Sequence, residues 1–148
     1  MRNSMLEERI IEHVILAKEE LAEIFRCHSI ESIDAALSSI LLGGDLERYL
    51  CATRFFRDAI NYGVKNDSGA LMHQNYQALR FFEVIENNLN SEEKAKRNDA
   101  VYTLGKVCAF SSMPKIQSAI EKFKDLDPEY ADNLKWELEW LIASQKSA

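Results

Sequence analysis

The side chains of this 148-residue chain that could do chemistry are a series of glutamates, two tryptophans, three histidines and three cysteines. Glu8, Glu12, Glu19 and Glu23 recur at helical intervals. At 100° per residue they fall within about 60° of arc, with Leu16 beside them and Ile15 at the margin. Such a carboxylate ladder offers bidentate acceptors to arginine and would steer a cationic partner. Like charges four residues apart also cost a few tenths of a kcal/mol per pair, so the clustering is mildly unfavourable for folding alone. The alternative is a solvated outer face. Trp136 and Trp140, one helical turn apart, form the second candidate. Large aromatics with a polar handle serve as interface anchors; alternatively, a last helix packed on the fifth would bury both rings.

Catalytic and metal chemistry find less support. A di-iron bundle needs Glu-x-x-His on inward faces, but Ile10, Phe25 and Ala70 stand three residues before His13, His28 and His73. The chain contains no His-Glu-x-x-His or paired-cysteine zinc motif, no Gly-x-x-x-x-Gly-Lys-Ser/Thr phosphate loop and no Gly-x-Ser-x-Gly. A catalytic histidine needs a second group held in reach, and the spacing offers none. The histidines are expected to be solvated or packed. The expectation is therefore a non-enzymatic chain without catalytic residues, metal or cofactor; the alternative is an active site assembled from distant residues. Cys27, Cys51 and Cys108 are odd in number and widely spaced, so no disulfide framework is implied and they are expected to fill the core.

Charge narrows the partner. With 24 acids against 18 bases the formal charge is −6, and residues 1–50 hold ten of the acids against five bases. A negative field repels phosphate backbones, which disfavours nucleic acid and favours a basic protein surface. The one basic cluster, Lys94, Lys96, Arg97 and Lys106, is diluted by Glu92, Glu93 and Asp99. No apolar run reaches the roughly 20 residues of a bilayer span, and Met1 to Glu8 lacks the apolar core of an export signal. A soluble protein of the reducing cytoplasm is expected, folded as a single α-helical domain over residues 1–148.

The elements that would position these groups are helices, because apolar residues recur at three- and four-residue spacing and period-two alternation is absent. Seven are predicted. The first runs from about Met5 to Cys27, and the second, capped by Ser29, from about Ile30 to Leu42. Asp45 caps the third, which Gly63 stops. Asp67 or Ser68 opens a fourth that continues through Leu71, Leu79, Phe82, Ile85 and Leu89. Asn90 to Glu93 forms a variant capping box for the fifth, reaching about Phe110. Proline opens the sixth at Met113-Pro114 and the seventh at Asp127-Pro128, the latter running to about Ser144. Phe55-Phe56 and Phe81-Phe82 read as core, adjacent rings serving two contact faces. In the seventh helix Tyr130, Leu134, Leu138 and Leu141 share one face, while Trp136 and Trp140 project roughly opposite.

Arg54-Phe55-Phe56 recurs as Arg80-Phe81-Phe82, and the segment Arg97 to Gly105 echoes Arg48 to Phe56 with Ala100 and Cys51 in register. The pattern Arg-x-x-Ala-x-x-x-Leu-Gly over residues 97–105 resembles the inner helix of HEAT and armadillo-like repeats, where small residues permit close helix approach. The segment near 48 departs from it, with Phe56 in place of the glycine, and the interval of 49 residues exceeds the usual repeat of about 40–47. The resemblance implies an all-α chain whose helices stack as a short, irregular HEAT-like superhelix; a helical bundle is the alternative. Small size, acidity and missing catalytic motifs are also similar to those of bacterial immunity proteins. That likeness implies a protein that neutralises a basic nuclease-type toxin by occluding its active site, with carboxylates of the first helix engaging the toxin's lysines and arginines. The alternatives are a helical-repeat adaptor or subunit of a cytoplasmic complex and, third, a nucleic-acid-processing enzyme on the same scaffold.

Overall fold

A computed structural model describes residues 4–12 and 18–147, and the chain they form is all-α. Its helices are α1 (Ser4–Ile11), α2 (Lys18–Cys27), α3 (Ile30–Leu42), α4 (Leu46–Asn61), α5 (Met72–Asn75), α6 (Arg80–Asn87), α7 (Lys94–Lys106), α8 (Met113–Phe123) and α9 (Pro128–Ser147). Short 3-10 turns follow α5 and α6 and precede α8. No strand occurs among the described residues, which hold one isolated antiparallel bridge between Lys65 and Leu71. The chain divides into two compact units, Met1–Ile85 and Glu86–Ala148.

Local signals set several boundaries of the N-terminal unit. The Ser29 hydroxyl accepts from the Ser32 amide at 3.1 Å and the Asp45 carboxylate from the Arg48 amide at 3.1 Å, so both predicted caps form. Gly63, at φ 66, ends α4 as expected, and the Val64 amide reaches back to the Ala59 carbonyl. Phe55 and Phe56 then face different partners, as adjacent helical residues must. Phe55 stacks on Phe25 of α2 with centroids 5.4 Å apart, and Phe56 meets Tyr76 and Phe81 edge-on at 5.2 and 4.9 Å. Phe82 completes the cluster against Tyr76 at 5.0 Å. All these rings are buried.

One predicted helix of this unit differs. The predicted first helix is described over α1 and α2, and residues 13–17 between them, which include His13 and Leu16, lie outside the described residues. The predicted fourth helix does not exist as one element. Its opening is a turn in which the Asn66 side chain accepts from the Ser68 and Ala70 amides and Gly69 adopts φ 84. Leu79 then takes an extended conformation, and α6 starts afresh at Arg80. The α6 cap comes from far away in sequence: the Asp34 carboxylate accepts from the Arg80 amide at 3.0 Å and the Phe81 amide at 2.8 Å.

In the C-terminal unit α9 packs on both α7 and α8, burying Tyr130, Ala131, Leu134 and Leu141, with Leu138 half-buried. Helix α7 starts at Lys94, and its predicted capping box is not made; instead the Ser91 hydroxyl accepts from the Glu93 amide. It ends four residues sooner than expected. Cys108 adopts φ 53, and the Ala109 amide returns to the Leu104 carbonyl, a Schellman ending with cysteine where glycine is usual. Pro114 is the second rather than the first residue of α8, while Pro128 opens α9 as predicted. The Asp127 side chain accepts from the Tyr130 amide at 3.2 Å, supplying the α9 cap.

Arg97 ties the unit together. Its side chain is 6% exposed and pairs with Asp127; Nη1 donates to the Ser91 and Glu92 carbonyls. The guanidinium lies 4.8 Å from the Phe123 ring centroid and 4.9 Å from that of Tyr130. The Tyr130 hydroxyl in turn donates to the Leu89 carbonyl at 2.6 Å, and burial raises its pKa above the ordinary phenol range. A second buried polar cluster joins the Glu86 carboxylate to the Ser112 hydroxyl at 2.7 Å and to Lys115 Nζ at 2.9 Å. The arginine of the predicted basic cluster is thus a core residue.

Candidate functional site: the outer flank of helices 7 and 9

The predicted glutamate ladder is described in part. Glu8, Glu12, Glu19 and Glu23 are all exposed, but Glu8 accepts from Arg48 Nη2 at 3.1 Å and is therefore not free for a partner's cation. Glu8 lies on α1, Glu12 follows it, and Glu19 and Glu23 lie on α2; the stretch that joins them is outside the described residues. Leu16 lies outside the described residues. Glu12, Glu19 and Glu23 form no ion pair with another described residue. Glu7, which the spacing did not single out, is the buried carboxylate of α1.

The indoles are where the structure is most informative. With Leu134 facing the core, Glu137, Asn133, Trp140 and Trp136 fall on one flank of α9 within about 100° of arc. Trp136 is 72% exposed and Trp140 52%. Tyr102 of α7, 45% exposed, lies on the facing flank. The second apolar stripe of α9 is therefore bare, and packing on α7 does not bury it. Trp140 Nε1 donates to the Gly105 carbonyl at 3.3 Å, which anchors one edge of its ring at the end of α7.

Gly105 has a second consequence. A Cβ there would collide with Oε2 of Glu137, so the missing side chain seats that carboxylate directly on the α7 backbone. Burial raises the Glu137 pKa above the ordinary carboxyl range, and the charge of nearby Lys106 opposes the shift. The Lys106 ammonium itself stands 5.4 Å from the Tyr102 centroid. Asn98, Val101, Tyr102, Asn133, Trp136 and Glu137 line a depression of about 250 Å³ on this flank. Beyond Trp140 a shallower one of about 350 Å³ runs along Ala143, Ser144 and Ser147.

The remaining reactive groups are dispersed. Cys27 is exposed and Cys51 and Cys108 are half-buried, all as free thiols, so none is the core filler expected of it. His28 is half-buried and His73 exposed, while His13 lies outside the described residues. In the N-terminal unit Lys18, Arg26, Lys65 and Asp67 line a concavity of about 410 Å³ beside Tyr62 and Val64. Net charge did not foretell this local excess of cations, but all three are exposed to water, which screens their field. No helix among the described residues is long and apolar enough to cross a membrane. No protein-family model, curated protein or solved structure matches the chain.

Proposed function

We propose that the chain is a non-enzymatic protein-binding module whose docking face is the α7–α9 flank, centred on Trp136 and Trp140. One observation carries this reading: two indoles on one helix flank stand 72% and 52% exposed, each lining a depression. Tryptophan is the residue type most enriched among the few that dominate binding energy at protein interfaces. The two buried charged side chains of the unit, Arg97 and Glu86, are engaged in structural contacts with Asp127 and Lys115, which favours binding over catalysis. Copurification from native lysate, with wild type beside the Trp136→Ala/Trp140→Ala double variant, tests the reading. Losing a central anchor costs about 2 kcal/mol or more, roughly 30-fold in affinity, so the partner should disappear from the variant. A specific partner retained at equal yield would refute it.

The net charge of −6 and the exposed Glu12, Glu19 and Glu23 favour a basic partner surface. The most specific form of the proposal is therefore an immunity-type inhibitor that occludes the active site of a basic nuclease toxin. Association should then slow as salt rises, and Glu12→Lys/Glu19→Lys should slow it further. Binding indifferent to both would instead fit a helical-repeat adaptor docking through the indole flank alone.

A further inference from the structure

Resting on the docking face just described, we propose that the depression between α7 and α9 receives an arginine side chain of the partner. Its guanidinium would lie between Tyr102 and Trp136 and pair with the Glu137 carboxylate. The size fits one side chain: about 250 Å³ falls below the roughly 300–1,000 Å³ typical of sites for whole small molecules. The charge fits a cation. Glu137 is half-buried on Gly105 and makes no ion pair with a described residue; Lys106, whose charge acts on it, has its ammonium over the Tyr102 ring. An apolar side chain entering here would complete the desolvation of that carboxylate without compensating it, and an acidic one would be repelled.

The walls distinguish arginine from lysine. A guanidinium is planar, weakly hydrated and able to stack on aromatic faces while its fork meets a carboxylate with two parallel hydrogen bonds. An ammonium is a compact, strongly hydrated point charge that gains less from two rings and one carboxylate. Tyr102 and Trp136 supply the ring faces, and the Asn133–Asn98 side-chain hydrogen bond of 3.1 Å spans the same two helices beside them.

The test uses the full chain, labelled with nitrogen-15, and small probes in place of a partner. N-acetyl-arginine methylamide is titrated while the indole N–H signals of Trp136 and Trp140 are followed by NMR. The lysine analogue and the uncharged, nearly isosteric citrulline analogue are run in parallel. The expected result is a saturable shift of the Trp136 signal with the arginine probe, weakened about fivefold or more by either analogue and by Glu137→Gln. A flat response to arginine, equal responses to citrulline, or an unaltered response in the glutamine variant would each overturn the proposal. The citrulline comparison needs no variant and so decides the matter even if Glu137→Gln folds poorly. Should the arginine inference fail while Trp136→Ala/Trp140→Ala still loses its partner, the docking face stands without it.

Discussion

Truncating Arg97 to alanine should destabilise the C-terminal unit by about 3 kcal/mol, with the loss arising from contacts that only a planar cation makes. The guanidinium sits 4.8 and 4.9 Å from the Phe123 and Tyr130 centroids. When desolvated, such contacts contribute about 1 kcal/mol or more each. Its Nη1 donates to the Ser91 and Glu92 carbonyls at 3.3 and 3.5 Å, long for such bonds, so each contributes at the bottom of the range for a charged donor, roughly 1.5 kcal/mol or less. Releasing the immobilised side chain returns about 2 kcal/mol of rotamer entropy, which sets the net near 3. The Asp127 pairing adds little, because that carboxylate reaches solvent. Arg97→Lys retains the charge but not the fork or the stacking, and should lie between wild type and alanine. Urea unfolding followed by circular dichroism gives the totals, and amide exchange in α7, α8 and α9 locates the loss. An alanine variant within about 0.5 kcal/mol of wild type, the range of ordinary surface substitutions, would show that Arg97 does not hold the unit together.

Asp34→Ala removes the distant cap of α6, leaving the Arg80 and Phe81 amides without their acceptor; it should cost about 1–2 kcal/mol in thermal or urea unfolding, and an unchanged midpoint would refute the capping role. The Tyr130 amide, and to a lesser degree Arg97, hold the Asp127 carboxyl below its ordinary range, so its stabilisation is present above about pH 4 and is lost as pH falls further. Asp127→Asn, which can still cap, should therefore show a shallower acid limb in stability measured against pH. Burial pushes Glu137 the other way: the folded state binds its proton more readily, so its contribution is fully present below about pH 4 and is lost as pH rises through the raised value. Glu137→Gln should be at least as stable as wild type at pH 7, with that advantage fading toward pH 4; a variant clearly less stable at pH 7 would contradict the assigned burial cost.

What could be read from the sequence were features whose cause lies within a few residues. Ser29 and Asp45 cap because an oxygen reaches an amide three residues on, and Gly63 ends α4 because its positive φ is free of steric cost. The all-α class followed from periodicity for the same reason. Errors arose where a distant or unusual group intervened. The helix predicted from Asp67 to Leu89 carries apolar spacing throughout, yet Asn66 captures two amides ahead of it and Asp34 restarts the chain at Arg80. No window around residue 80 contains residue 34. The end of α7 was missed because Cys108, not glycine, takes the left-handed conformation.

The candidate site shows the same division. Periodicity placed Trp136 and Trp140 opposite the leucines of the last helix, but it carries no information on whether another element covers them; among the described residues both indoles stand more than half exposed. Gly105 was legible as a point of close approach, yet what approaches is the Glu137 carboxylate rather than a neighbouring helix backbone. That substitution of one occupant for another changes what the glycine implies. A glycine inside a helix gives up about 1 kcal/mol relative to alanine. The carboxylate it seats is partly stripped of water, which disfavours its charged form. Two unfavourable choices at one spot do nothing for the stability of the chain alone. Both become useful once a cation enters beside Trp136, because a carboxylate already partly desolvated and fixed in place loses little more on pairing. Conflicts between local preference and fold tend to lie where a protein works, and Gly105 beneath the Glu137 carboxylate is one such conflict.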